Sequence, residues 1–221
     1  MKNTTFVSSW SGGKDSALAY YRAMKLGMQP KKILTMFEED GEISKSHALP
    51  VEVVQAQADS LGVSLITKEA SWGTYEELFV EAMNECRDKG ITHGVFGDID
   101  IEGHLEWVQQ TCAKSDIVSV HPLWQEPRRA IVERLLDEGF EAWIIVVNTT
   151  LMPAKYVGKK ITNELIEELE AAGIDSCGEN GEFHTVAIDG PIFSERVDIE
   201  IGEPVKRGDY IFTPVSLKSF N

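Results

Sequence analysis

The 221-residue chain is 43% hydrophobic and 26% charged, the proportions of a soluble fold with a sizeable core in one large or two small domains. Its 21 Lys and Arg against 36 Asp and Glu give a net charge of -15, which argues against non-specific nucleic-acid binding; the only dense basic cluster is at 155–160. The longest apolar run, 142–147, is too short to cross a bilayer, and the N-terminus is too poor in apolar residues for a signal peptide, so no membrane contact and a cytoplasmic location are expected.

Residues 4–9 read as a first strand, after which Ala17, Tyr20, Tyr21 and Met24 recur at helical spacing. Residues 33–37 form a second strand. Pro50 suits a helix start, with Val51, Val54, Ala58 and Leu61 as its buried stripe. A third strand covers 63–67, and Thr74 and Glu77 have capping-box spacing ahead of Leu78, Ala82, Met83 and Cys86. Val95 and Phe96 belong to a fourth strand, Leu105, Val108 and Cys112 to the next helix, and 117–120 to a fifth strand. Short apolar strands alternating with helices predict an α/β fold, a five-stranded parallel doubly wound sheet covered on both faces.

After Pro122 the pattern changes. Ile131, Val132, Leu135 and Leu136 mark a helix, 143–147 a buried strand, and Leu165, Ile166 and Leu169 another helix. Short strands dominate from Thr185 onward, with Val197, Ile199 and Ile201 alternating against Asp198 and Glu200. These features predict a smaller C-terminal α+β domain, 126–221, packed tightly against 1–125. Of the three cysteines, Cys86 and Cys112 are expected in the core, whereas Cys177 sits in a polar loop and is left open.

The string Ser11-Gly12-Gly13-Lys14-Asp15-Ser16 lies between the first strand and the first helix. Ligands of open parallel sheets bind beyond the carboxyl ends of the strands. Two glycines let the backbone approach an anion, and the helix start offers free N–H groups and its positive dipole end. Lys14 adds a charge, and Ser11 and Ser16 add hydroxyl donors. The result is a polyphosphate cradle. It is not the common kinase-type loop, because Ser8 and Asp15 stand where that pattern needs a glycine and a hydroxyl residue.

A second cluster runs through Cys177-Gly178-Glu179-Asn180-Gly181-Glu182-Phe183-His184-Thr185. Two carboxylates and an imidazole between flexible glycines can hold an ammonium, bind magnesium or move a proton. A solvated acidic turn before a strand is the alternative reading.

The first string resembles the S-G-G-x-D-S signature of the PP-loop ATP pyrophosphatases. Ser46-His47-Ala48-Leu49-Pro50, Pro122-Leu123-Trp124, the second cluster and Asp189-Gly190-Pro191-Ile192-Phe193 extend the resemblance, over residues 5–195, to the diphthine–ammonia ligase family. The resemblance implies a HUP, Rossmann-like ATP-binding domain at 1–125 and an acceptor domain at 126–221. It implies that a carboxylate attacks the α-phosphorus of ATP, giving an acyl-adenylate and pyrophosphate, and that ammonia then displaces AMP. The implied acceptor is a modified histidine of a translation elongation factor.

On that resemblance Ser11, Gly12, Gly13, Lys14, Asp15 and Ser16 hold the nucleotide with Gly97, and Lys14 and Asp15 serve the chemistry. Asp15 and Asp98 are expected to steer Mg2+. Glu182 and His184 orient the amine or take its proton, and Gly178, Glu179, Asn180, Gly181 and Thr185 join Glu182 in binding the acceptor. His47 either touches the nucleotide or caps local backbone; Trp10 either walls the pocket or packs in the core. One segment departs from the family: 97–107 is acidic and lacks the Tyr-Gln pair of the usual G-x-I-x-S-x-Y-Q stretch, which bears on the acceptor. Two other readings are a PP-loop enzyme that modifies tRNA and an ATP-binding sensor without turnover. The first needs a basic surface or reactive cysteines.

Overall fold

A computed structural model describes residues 4–45 and 47–218; Ser46 of the predicted Ser46-to-Pro50 string lies outside the described residues. The first half runs β1 (Thr5–Ser9), α1 (Lys14–Lys25), β2 (Gln29–Phe37), α2 (Val51–Leu61), β3 (Ser64–Glu69), α3 (Tyr75–Asp88), β4 (His93–Val95), α4 (Glu102–Ala113) and β5 (Val118–Val120). Its five strands pair in parallel in the order β3-β2-β1-β4-β5. The chain winds outward from β1 through β2 and β3, then returns to the other side of β1 for β4. The crevice between β1 and β4 is the switch point where ligands of such sheets bind.

Strand periodicity explains the two covered faces. Phe6 and Ile33 point into an apolar layer with α1 and α2, whereas their neighbours Val7 and Leu34 join Phe79, Met83 and Cys86 of α3 on the opposite face. The second half comprises α5 (Arg128–Asp137), β6 (Glu141–Asn148), α6 (Asn163–Ala171), β7 (Phe183–Asp189) and the short strands β8 (Ile199–Ile201), β9 (Val205–Arg207), β10 (Tyr210–Phe212) and β11 (Val215–Leu217). Four of these form a sheet in the order β7-β6-β10-β9, with antiparallel pairing throughout. Ile144, Val146 and Val186 of this sheet belong to the same apolar cluster as Phe6, Ala17 and Val54. One core therefore continues from the α1–α2 layer into the C-terminal half.

Several local expectations are corrected. Met24 and Val51 are exposed; the buried faces are instead Ala17, Leu18, Ala19, Tyr20 and Ala23 on α1, and Val53, Val54, Gln57 and Ala58 on α2. Thr74 makes no capping bond to α3, because its hydroxyl accepts from the backbone N–H of Ser71 at 3.1 Å. β2 starts four residues before the apolar run, since pairing with β1 continues to Gln29 opposite Thr5. Cys177, which the sequence left undecided, is buried. The basic cluster near 155–160 is neutralised locally: Lys155 and Lys159 pair with Glu168, and Lys160 with Glu141. No helix among the described residues is long and apolar enough to cross a membrane.

Candidate active site

The loop that follows β1 is held from behind. Trp10 is buried in the core, where its indole Nε1 donates to Gln57 Oε1 at 2.9 Å. Gln57 Nε2 donates to the carbonyls of Gly12 at 3.0 Å and Ala187 at 2.7 Å, and the Ala187 N–H donates to the same Gly12 carbonyl at 2.8 Å. Gly12 turns with φ +79°, and a Cβ there would lie 2.4 Å from Leu49 Cδ1, so only glycine fits. On the other flank the Lys14 N–H donates to Thr185 Oγ1 at 3.0 Å. Ser16 Oγ donates to the Gly13 carbonyl at 3.0 Å, and Ser11 Oγ donates to Ser16 Oγ at 3.2 Å.

This loop opens onto a cavity of about 730 Å³. Ser11, Lys14, Asp15 and Ser16 line it from α1 and its approach, and His47 from the β2–α2 loop. Gly97 and Asp98 enter after β4. Gly97 packs so tightly that a Cβ would lie 3.0 Å from Asp15 C and Ser16 N. Gly178, Glu179, Gly181, His184 and Thr185 close the cavity from the C-terminal half. Trp10, Gly12, Gly13, Asn180 and Glu182 are not lining residues; Trp10 instead borders an adjoining cavity of about 130 Å³ beside Thr35 and Lys45.

Lys14 is only 4% exposed. Burial alone would push its pKa down, but Asp15, with Cys177 and Glu179, holds it above the ordinary lysine value. Its Nζ donates to Asp15 Oδ2 at 2.7 Å, while Asp15 Oδ1 is buried without a protein partner. Burial and then Asp15 push Glu179 up to about 7, which suits a group that exchanges a proton near neutrality. The His47 and His184 rings lie 4.7 Å apart. Burial, with Lys14 nearby, brings His184 down to about 4; burial, His184 and Lys14 also lower His47. Both imidazoles are therefore neutral at pH 7. Among the described residues His47 Nδ1 is buried without a partner. Burial, ahead of all other causes, pushes the Cys177 thiol up to about 12, which makes it inert.

The 175–182 turn is organised by groups that the sequence reading missed. Asp175 accepts from the N–H groups of Cys177 at 2.9 Å and Glu179 at 3.2 Å. Arg128, at the start of α5, donates to Asp175 at 2.6 Å, Asn180 Oδ1 at 2.8 Å and Asp100 at 2.7 Å. That last hydrogen bond holds Asp100 below the usual carboxylate range. Glu182 is buried, and its two oxygens accept from the backbone N–H and side-chain amide of Asn180 at 3.0 and 3.1 Å. Its carboxylate is thus turned into the turn, away from the cavity.

A family model described as the diphthamide synthase N-terminal domain matches residues 4–119, and one described as the diphthamide synthase C-terminal domain matches 127–213. The chain belongs to the diphthamide synthase family. The diphthine–ammonia ligase of Danio rerio is 31% identical over 117 residues, 51% of this chain and 46% of that protein. Those of Rattus norvegicus and Homo sapiens are 24% and 22% identical over 93% and 95% of this chain and 86% and 88% of theirs. A looser likeness, TM-score 0.47 at 17% identity over 85% of this chain and 98% of the other, is to a crystal structure described as a predicted subunit of tRNA methyltransferase from Methanocaldococcus jannaschii. Membership of the diphthamide synthase family makes the chain an ATP-dependent carbon–nitrogen ligase.

Magnesium in nucleotide sites usually takes one or two carboxylates, with phosphates and water completing the shell. Among the described residues no group of three or more His, Cys, Asp or Glu is assembled for a metal, so the protein supplies no full cage. The unpartnered Asp15 Oδ1 fits the smaller role. Asp98, on the neighbouring loop, lies 3.4 Å from His121 Nδ1 and 3.9 Å from His104 Nδ1.

Proposed function

We propose that the chain adenylates a carboxylate with ATP and then amidates it with ammonia. The carrying observation is the convergence of two segments 171 residues apart on one cavity, joined by the Lys14-to-Thr185 hydrogen bond. The Ser11-to-Ser16 loop grips the β- and γ-phosphates, with Lys14 as its charge. The nucleoside extends toward the smaller cavity beside Trp10, Thr35 and Lys45. Residues 1–125 act as the ATP-binding domain and 126–221 as the acceptor domain. Asp15 and Asp98 hold Mg2+, which when bound neutralises charge on the departing pyrophosphate.

In the first step the acceptor carboxylate oxygen bonds to the α-phosphorus and pyrophosphate leaves. In the second, the nitrogen of ammonia bonds to the acyl carbon, AMP leaves, and the nitrogen sheds a proton. His184 and Glu179 face the cavity in states able to accept that proton at pH 7. Glu182 contributes through Asn180, fixing the turn that carries Glu179 and the glycines 178 and 181. The names of the relatives support diphthine, a modified histidine of a translation elongation factor, as the acceptor. Acceptor-dependent exchange of labelled pyrophosphate into ATP, without ammonia, tests the adenylation. No exchange with any carboxylate, by protein that binds ATP, would refute it.

A further inference from the structure

Two carboxylates follow β4, and the fold treats them differently. Asp100 is neutralised by the Arg128 guanidinium, which donates to its two oxygens at 2.7 and 2.8 Å. Asp98, two residues earlier, lines the main cavity. Among the described residues no lysine or arginine comes within ion-pair distance of it; the nitrogens that approach belong to two imidazoles. His104, exposed on α4, has Nδ1 3.9 Å from Asp98 Oδ1, and His121 has Nδ1 3.4 Å from Asp98 Oδ2.

His121 follows β5 directly, so it stands at the carboxyl edge of the parallel sheet beside the end of β4, where the Phe96 N–H donates to the Val120 carbonyl at 3.0 Å. Its side chain is only 8% exposed. The ring stacks on Phe96, centres 5.4 Å apart at 22°, and Trp124 stands edge-on to it at 6.3 Å. Among the described residues neither ring nitrogen has a hydrogen-bond partner. Buried nitrogens are normally paired, and an apolar ring would fill this stacked slot without that cost. Packing alone therefore does not call for histidine here. At 3.4 Å from Asp98 Oδ2, Nδ1 is a small carboxylate rotation short of a hydrogen bond, and such bonds tighten when a site is filled.

We propose that His121 is a positioning residue for Asp98: its Nδ1–H holds Oδ2 and leaves Oδ1 to the divalent cation that accompanies the phosphates. Carboxylates that ligate metals are themselves held by hydrogen bonds, which fix their orientation. A histidine suits this place better than an arginine, because it donates an N–H without setting a permanent charge beside the cation. The consequence for the cation rests on reading Asp98 as a magnesium ligand; the contact between His121 and Asp98 does not.

Two measurements test this. Long-range proton–nitrogen NMR of the wild-type protein labelled at its histidines, at about pH 8, reads which nitrogen of the His121 ring carries hydrogen. The Nδ1–H tautomer is expected, although a free imidazole favours the other; an Nε2–H tautomer overturns the proposal. The second measurement is Mn2+ affinity, by electron paramagnetic resonance, in the presence of α,β-methylene-ATP. His121→Phe keeps a ring on Phe96 but has no donor, and it is expected to bind Mn2+ about tenfold more weakly. His121→Asn, whose amide nitrogen stands where Nδ1 stood, should recover most of that loss. His121→Gln, whose amide reaches the place of Nε2, should not. Wild-type affinity in His121→Phe where Asp98→Asn weakens binding, or recovery by glutamine rather than asparagine, overturns the proposal. Unchanged Mn2+ affinity in Asp98→Asn would instead strike the magnesium reading of Asp98, and the tautomer would still decide the contact.

Discussion

The backbone N–H of Lys14 donates to the Thr185 hydroxyl at 3.0 Å, so the first helical residue after the glycine turn is positioned by a strand of the C-terminal half. Thr185 is buried, and replacing its hydroxyl by a methyl group leaves that N–H without a partner. Thr185→Val is expected to lower stability by about 1–3 kcal/mol and to slow pyrophosphate release. Thr185→Ser should recover both. Denaturant melts and a pyrophosphate assay on the two variants check this.

Lys14 is the charge that the proposal places on the departing pyrophosphate. Removing one preorganised donor of this kind costs roughly 100- to 1000-fold in rate. Lys14→Ala should therefore all but abolish pyrophosphate release while its far-UV circular dichroism stays that of the wild type. Wild-type turnover would remove the loop from the mechanism.

Two groups with opposite shifts make the pH dependence informative. His184 takes a proton near 6.5 in the unfolded chain but only near about 4 in the fold, so its contribution is present above 6.5 and is lost as the pH falls through about 4. Glu179 has the opposite sign: it holds its proton up to about 7 in the fold against 4.5 unfolded, so its contribution is present below 4.5 and is lost as the pH rises through about 7. Between 4.5 and 6.5 the two offset each other. His184→Gln should flatten the acid limb of stability, and Glu179→Gln should steepen it. Urea melts at half-unit pH intervals measure both slopes.

Gln57 is the hub behind the phosphate loop, completely buried, with all three of its hydrogen bonds made to the loop or to β7. Gln57→Leu fills the same space but leaves Trp10 Nε1 unpartnered. The expected cost is about 1–3 kcal/mol, with a raised KM for ATP, since the altered residue touches only the back of the loop. Gln57→Glu should also fail, because a carboxylate cannot donate to the Gly12 and Ala187 carbonyls. Unchanged KM in both variants would count against the role of this hub.

The parallel sheet and the phosphate loop are legible because their signals are local. Short apolar strands, two glycines and the start of a helix follow one another within a few residues. Gln57 and Arg128 are not legible in this way. Gln57 occupies a buried stripe that the spacing of Val51 and Val54 sets at the wrong angle, and its partners lie 45 to 130 residues away. A polar residue between Val53, Val54 and Ala58 was the available signal. Arg128 matters through Asp100, Asp175 and Asn180, which only the packing of α5 against two loops brings together. Glu182 reads as a cavity carboxylate from its motif, yet the turn after Gly178 rotates it onto Asn180.

The central claim is cleavage of ATP between the α- and β-phosphates, coupled to amide formation. Phosphorus NMR of a reaction holding the protein, ATP, magnesium, ammonium and a diphthine-bearing elongation factor follows every phosphate product at once. The account predicts AMP and pyrophosphate in equal amounts, with one amide formed per AMP and none by Lys14→Ala. ADP and orthophosphate as the products would contradict it.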